Sequence, residues 1–189
     1  MDFMKEYQKW LTSGVLTPDE QAELEAIKDD AKEIESRFYG PLEFGTAGMR
    51  GIMGAGSNRL NRYTVRRAAQ GMAAWLSSAN LPQKAAIGYD SRHNSKLFAE
   101  VCATAFAEKG IVTFLYDRLA PTPMLSFAVR ELDCGCGIVI SASHNAGAYN
   151  GVKCYGPDGC QMTDDAAAVV YAEIQATDIL TGAKLISFE

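Results

Sequence analysis

The densest chemistry in the chain lies in seven consecutive residues, Ser141-Ala142-Ser143-His144-Asn145-Ala146-Gly147. They place a hydroxyl, an imidazole and an amide together, straight after the apolar run 137–140. Small neighbours let backbone N–H groups close on an anion. Lys153 lies ten residues beyond Ser143, in a segment that reads as a returning strand within reach of the same spot. Two further loops carry polar groups after apolar runs: Asp90-Ser91-Arg92-His93-Asn94 and Ala120-Pro121-Thr122-Pro123. In open α/β sheets, ligands gather outside the carboxyl ends of the strands, where such loops sit. A Ser-x-Ser-His-Asn segment read alone more often makes only a turn, so its partners must decide.

Other chemistries fit these residues less well. The chain has no Gly-x-Ser-x-Gly elbow, and His144 is adjacent to Ser143, where it cannot easily turn back as a base. Gly54-Ala55-Gly56 is a lone Gly-x-Gly, with Arg59 where a dinucleotide fingerprint needs its third glycine. Cys134-Gly135-Cys136 lacks the two-residue gap of a zinc knuckle, and only His93 and His144 could complete such a site. Five cysteines are an odd count in a chain large enough to fold without bridges. Free thiols and a reducing, cytoplasmic setting are therefore expected. Eighteen Lys and Arg against 23 Asp and Glu give a net charge of −5. The one basic stretch, Arg50, Arg59, Arg62, Arg66 and Arg67, is broken by glycines and apolar residues. That suits a local anion site and not a nucleic-acid groove. No apolar run reaches membrane-span length, and the first residues lack the apolar core of a secretory signal.

The elements that must position these loops alternate. Residues 2–13 predict a short helix with Phe3, Tyr7, Trp10 and Leu11 on one face. Thr17-Pro18-Asp19-Glu20 starts a second, with a capping box and a proline at the first helical position. It should run to about Phe38 with Leu24, Ile27, Ala31 and Ile34 inward. The glycine-rich stretch 44–56 suggests short extended segments around a tight loop. Helices are expected over 61–78, 95–109, after 121 to about 132, and 163–175. Strands are expected over 85–89, 111–116, 137–141 and 152–155. This alternation implies a layered α/β/α domain with a mainly parallel, mixed sheet, preceded by an N-terminal helical pair. The expected division is a helical extension at 1–38, the α/β domain at 39–178, and a linker or the start of a further domain at 179–189. With 189 residues, folding should leave roughly 9,000 Å² exposed.

Four motifs occur in a set order: Phe44-Gly45-Thr46-Ala47-Gly48-Met49-Arg50-Gly51, Gly88-Tyr89-Asp90-Ser91-Arg92, Pro121-Thr122-Pro123 and Ser141-Ala142-Ser143-His144-Asn145. Together they resemble the first domain of the α-D-phosphohexomutases, the phosphoglucomutase/phosphomannomutase family. The resemblance covers about residues 39–165. The leading helices and the Glu43–Gly51 segment resemble the branch holding bacterial phosphoglucomutases and phosphopentomutase-like enzymes. The resemblance implies that Ser143 carries a phosphoryl group and that Lys153 is a general acid/base. Arg50 would face the phosphoserine and His144 would contact substrate or phosphoryl oxygens. Thr46, Arg92 and Asn145 would bind substrate or phosphate, and Asp90 would mainly hold its own loop by pairing with Arg92. Two departures stand out: Ser141 replaces the family's threonine and Ala146 its proline. The second gives up loop stiffness worth about 0.4–1 kcal/mol.

What the resemblance implies for function is a mutase. Glucose 1-phosphate and glucose 6-phosphate would interconvert through a phosphoserine and a sugar bisphosphate, with Mg²⁺ held partly by the phosphate on Ser143. The family's metal carboxylates, sugar selection and phosphate grip lie in later domains, whose motifs do not occur here. The chain is therefore expected to be a fragment that folds without turning over. Mannose, pentose and glucosamine phosphates, glucose-1,6-bisphosphate synthesis, and plain sugar-phosphate binding stay open as alternatives. The expected partners are sugar phosphates and the remaining domains, with no nucleic acid and no membrane.

Overall fold

The computed structural model describes residues 2–45 and 48–180. Its elements run α1 (Phe3–Leu11), α2 (Pro18–Ala26), α3 (Ala31–Phe38), β1 (Met49–Ile52), α4 (Arg62–Ser78), β2 (Lys84–Tyr89), α5 (Ser95–Ala107), β3 (Val112–Leu115), α6 (Thr122–Glu131), β4 (Cys136–Ile140), β5 (Tyr149–Tyr155) and α7 (Asp164–Ala176). The strands form one five-stranded sheet in the order β1-β5-β4-β2-β3. β2 lies parallel to both β3 and β4. β5 lies antiparallel to both β4 and β1. The sheet is thus mixed, half parallel and half antiparallel. Its exposed area of 9156 Å² is what a chain of this size should show when it closes a full core.

Alternate residues along the strands face two helical layers. Ala85, Ile87, Ile138, Ile140, Val152 and Cys154 pack with α4, α5 and α7 on one face. Ala86, Val139 and Tyr155 pack with Leu125, Ala128 and Val129 of α6 on the other. α4 is held by its apolar period: Val65, Ala68, Ala69, Met72 and Leu76 are all fully buried. Its start is fixed by Asn61, whose side chain accepts from the amides of Tyr63 and Thr64.

The N-terminal unit differs from expectation in its count. The single helix expected over 18–38 breaks into α2 and α3. The cause is Asp30, whose carboxylate accepts from the Glu33 amide at 3.0 Å and so caps a new helix. Ala31 consequently begins α3 in an exposed position instead of lying inward. Leu24 and Ile34 are buried as expected. They join Tyr7, Trp10, Phe38, Ala55 and Tyr63 in one cluster. Trp10 meets Phe38 and Tyr63 edge-on, with ring centroids 5.8 and 5.3 Å apart. Because Tyr63 belongs to α4, this cluster ties the helical unit to the α/β layers. Ile179 and Leu180, read from sequence as linker, pack into the same cluster. The rest of that expected linker, 181–189, lies outside the described residues. No described helix is long and apolar enough to cross a membrane.

Candidate functional site

The chemistry-bearing loop leaves β4 at Ile140 and returns directly as β5 at Tyr149. This short return sets Val139 opposite Lys153 and Ile140 opposite Val152. β1 then adds to the far side of β5, with Met49 opposite Val152 and Arg50 opposite Gly151. The approach depends on two missing side chains. Gly48 has φ +85°, and a Cβ there would lie 1.8 Å from the Val152 carbonyl oxygen. A Cβ on Gly151 would meet the carbonyl oxygens of Ser141 and Met49 at 2.8 and 2.9 Å.

The result is an open recess of about 320 Å³ lined by Gly48, Met49, Arg50, Ser141 and Lys153. Among the described residues its lining carries two cations and no carboxylate. Arg50 offers a planar fork matched to phosphate oxygens, and Lys153 a compact donor. Arg50 also reaches across to the loop, donating from Nη1 to Asn145 Oδ1 at 2.8 Å. Arg50 thus joins the recess it shares with Lys153 to the loop at Asn145. Ser143 and His144 sit on the same loop, both exposed, and are not part of the recess lining. Thr46 lies outside the described residues.

Ser143 adopts φ +56°, a left-handed conformation that only glycine takes without cost. Its N–H donates to Ser141 Oγ at 3.0 Å. Ser141 is itself fixed, its N–H donating to the Gly151 carbonyl at 2.9 Å. The serine standing for threonine at 141 thus keeps the hydroxyl that this contact needs.

Arg92, which the resemblance assigned to substrate or phosphate binding, is turned onto the backbone of the Ser143 loop. Its guanidinium donates to the carbonyl oxygens of Ser143 (2.9 Å), Asn145, Ala146 (3.1 Å) and Tyr149 (3.0 Å). Asp90 holds it, with Oδ2 3.6 Å from Arg92 Nε and Oδ1 accepting from the Arg92 amide at 2.9 Å. The same Oδ1 accepts from Ser95 Oγ at 2.7 Å.

Sequence reasoning missed two residues of this network, Ser95 and Asn150. Asn150 is fully buried. Its Nδ2 donates to the His93 carbonyl and to Ser95 Oγ, both at 2.9 Å. Its Oδ1 accepts from the Gly151 amide at 2.8 Å. The available signal was an amide side chain and a glycine at the head of an apolar strand. Behind the site, burial pushes the Cys154 thiol up to about 12 and raises those of Cys102 and Cys136. These thiols fill space and are not nucleophiles.

Among the described residues, no group of three or more His, Cys, Asp or Glu side chains could hold a metal ion. Asp90, the carboxylate nearest in sequence to the candidate loops, is committed to Arg92 and Ser95. The side chains present do not by themselves fit an Mg²⁺ site.

Residues 41–180 match the family model described as phosphoglucomutase/phosphomannomutase, alpha/beta/alpha domain I. Phosphoglucomutases of Staphylococcus aureus are 42% identical over 149 residues, which is 78% of this chain and 27% of their own length. The chain thus spans about a quarter of the curated relatives it matches. Among solved structures, a Thermus thermophilus protein described as a phosphomannomutase superposes with a TM-score of 0.69 at 29% identity, covering 79% of this chain and 33% of that one. A Burkholderia thailandensis member of the phosphoglucomutase/phosphomannomutase family shares the fold, with a TM-score of 0.60 at 19% identity over 70% of this chain and 30% of that one.

Proposed function

The chain belongs to the phosphoglucomutase/phosphomannomutase family, matching its domain I over most of its length, and on that premise we propose that it supplies the phosphoryl-carrying serine of a sugar-phosphate mutase. Ser143 is that serine, within residues 39–178 as the catalytic-serine domain and 1–38 as its helical extension. The preferred pair is glucose 1-phosphate and glucose 6-phosphate. The observation that carries this reading is the two-cation recess of Arg50 and Lys153 beside a left-handed Ser143.

A phosphoserine brings nearly two negative charges and three acceptor oxygens. Arg50 neutralises part of that charge and orients it through its fork. In the first transfer, a sugar hydroxyl oxygen bonds to phosphorus as the Ser143 Oγ–P bond breaks. Lys153 relays the hydroxyl proton to the departing Ser143 oxygen. The sugar bisphosphate then reverses in the site. Its other phosphoryl group moves to Ser143 Oγ by the same steps run backwards, and the Ser143 hydroxyl proton passes through Lys153 to the sugar oxygen released from phosphorus. His144, exposed beside Ser143, contacts the phosphoryl oxygens. Such transfers rest on positioning and charge stabilisation more than on covalent chemistry by the protein. Toward Mg²⁺ this chain would offer only the phosphoryl oxygens on Ser143; the remaining ligands would come from other domains.

The test uses the full-length protein carrying this chain. Incubation with glucose 1,6-bisphosphate should phosphorylate Ser143 alone, and Ser143→Ala should abolish the label. Peptide mass spectrometry finding the phosphoryl group on Ser141 or Thr122, with Ser143 bare, would overturn the reading.

A further inference from the structure

A guanidinium carries five N–H donors in a fixed fork, and in Arg92 the four on Nη1 and Nη2 are all spoken for. Nη1 serves the carbonyls of Ala146 and Tyr149. Nη2 serves those of Ser143 and Asn145. Nε faces Asp90 Oδ2. That contact is an ion pair at 3.6 Å, longer than a hydrogen bond, but both Nη groups, the pair that would fork a phosphate, are committed to carbonyls. The side chain is only 16% exposed, whereas Arg50, which lines the recess, is exposed.

We propose that Arg92 is a positioning residue: it holds the backbone of the Ser143 loop and is not a ligand for the substrate phosphate. The loop has reason to need such a hold. Between Ser141 and Tyr149 five of the seven residues are alanine, serine or glycine, and none is proline. Ser143 sits at φ +56°, a backbone conformation that persists only where the surroundings over-determine it. Arg92 and Ser141 pin that residue from its two sides, the first at the Ser143 carbonyl and the second at the Ser143 N–H. The four carbonyls bound by Arg92 span the loop from Ser143 to the first residue of β5. One rigid side chain thus sets the loop's curvature. Asp90 fixes the guanidinium, and Ser95 and Asn150 fix Asp90 and the head of β5. The geometric part of this proposal stands without the mutase reading; only its kinetic arm rests on it.

The first arm is amide hydrogen exchange in the 189-residue chain. The N–H groups of Asn145 and Tyr149 bond to the carbonyls of Ala142 and Ala146, so they report whether the loop keeps its shape. Arg92→Ala should speed their exchange by about tenfold or more, while amides of β2 and β4 stay unchanged. Arg92→Lys should recover only part, because an ammonium cannot span four carbonyls. If Arg92→Ala does not fold, Asp90→Asn loosens the Nε hold and should speed the same two amides by roughly two- to fivefold. Unchanged exchange at Asn145 and Tyr149 would overturn the proposal. The second arm is kinetic, in the full-length enzyme. Arg92→Ala should lower kcat by about tenfold or more, with KM for the sugar phosphate within roughly twofold and partial rescue by lysine. A tenfold rise in KM at near-normal kcat would instead make Arg92 a phosphate ligand. An enzyme that never phosphorylates Ser143 would defeat the function reading alone, since the exchange arm would still decide this one.

Discussion

Asn150→Ala should be among the most destabilising single substitutions near the site. The wild-type side chain is fully buried and makes three hydrogen bonds: to the His93 carbonyl, to Ser95 Oγ and from the Gly151 amide. Alanine leaves all three partners behind. His93 is exposed, so water can replace the bond to its carbonyl, and that loss costs little. Ser95 is 1% exposed and Gly151 is buried, so water cannot easily reach either group. A buried polar group left without a partner costs about 1–3 kcal/mol. The Gly151 amide is left so, while Ser95 Oγ keeps its bond to Asp90; with the lost Ser95 contact and a small cavity from the missing amide, the cost is about 2–3 kcal/mol. In a chain of this size that corresponds to a fall in Tm of roughly 4–12 °C. Urea denaturation of the 189-residue chain measures it, with the m-value as a check that the unfolded state is unchanged. A double-mutant cycle with Ser95→Ala sharpens the test. Asn150 and Ser95 touch, so the two effects should fall short of additivity by about 1 kcal/mol or more. A cost below about 1 kcal/mol for Asn150→Ala, or strictly additive effects, would refute the claim that this network holds the loop to the sheet.

Gly48→Ala should cost more than about 2 kcal/mol, because left-handed strain of about 1–2 kcal/mol adds to a Cβ placed 1.8 Å from the Val152 oxygen. Gly14→Ala is the control, since Gly14 has φ +69° with nothing within 4 Å of its Cβ; equal costs by chemical denaturation would mean that the β1 approach is not tight. The native chain should titrate one thiol with a chromogenic thiol reagent and five when unfolded, because Cys160 is exposed and the other four are buried; two or more fast thiols would contradict the packing of the core. Burial raises the thiols of Cys102, Cys136 and Cys154 above those of the unfolded chain, so unfolding is favoured once unfolded thiolates form. Stability contributed by these thiols is therefore complete below about pH 8.5 and should decline as pH rises toward the Cys154 value of about 12. Urea midpoints at pH 8 and pH 10 check the sign, and replacing the three cysteines with alanine should flatten the difference.

What could be read from the sequence follows the range of the interactions. The inner face of α4 was legible because its period is local and uninterrupted. β2 and β4 were legible as short apolar runs that the sheet buries on both faces. The break between α2 and α3 was not, because Ile27 and Ile34 are seven residues apart and fit one continuous helix; a single carboxylate, Asp30, decides otherwise. The start of β5 at Tyr149 was also hidden. Asn150-Gly151 reads as a turn, and only pairing with Arg50 and Gly51 from nearly a hundred residues away makes it a strand. At the site, the grouping of Arg50, Asn145 and Lys153 followed from sequence and resemblance. The direction of Arg92 did not, since no pattern along the chain tells a guanidinium aimed at a ligand from one aimed at backbone carbonyls.

β5 explains why the site sits in the antiparallel half of the sheet. A parallel neighbour must be reached by a long crossover, which would separate the loop after β4 from any strand that serves it. Here the chain turns straight back. Lys153 is delivered opposite Val139 of the strand that launched the loop. The other edge of β5 is then free to receive β1, which brings Arg50 opposite Gly151. The glycines at 48 and 151 are the cost of that crowding, each placed where a Cβ would strike backbone. Asn150 points away from this recess into the buried contacts with His93 and Ser95, three residues before Lys153. Successive residues of one strand therefore supply the hold on the loop, the room for β1 and the cation of the recess. The parallel half, β4, β2 and β3 with α5 and α6, contributes the rigid layer and the Asp90–Arg92 clamp. A substitution that shifts β5 by one residue would turn Lys153 to the opposite face and unpair Asn150 together. Stability and site geometry in this domain should therefore fail together under changes to β5. Changes to the exposed residues of β3, at the far edge of the sheet, should leave both largely intact.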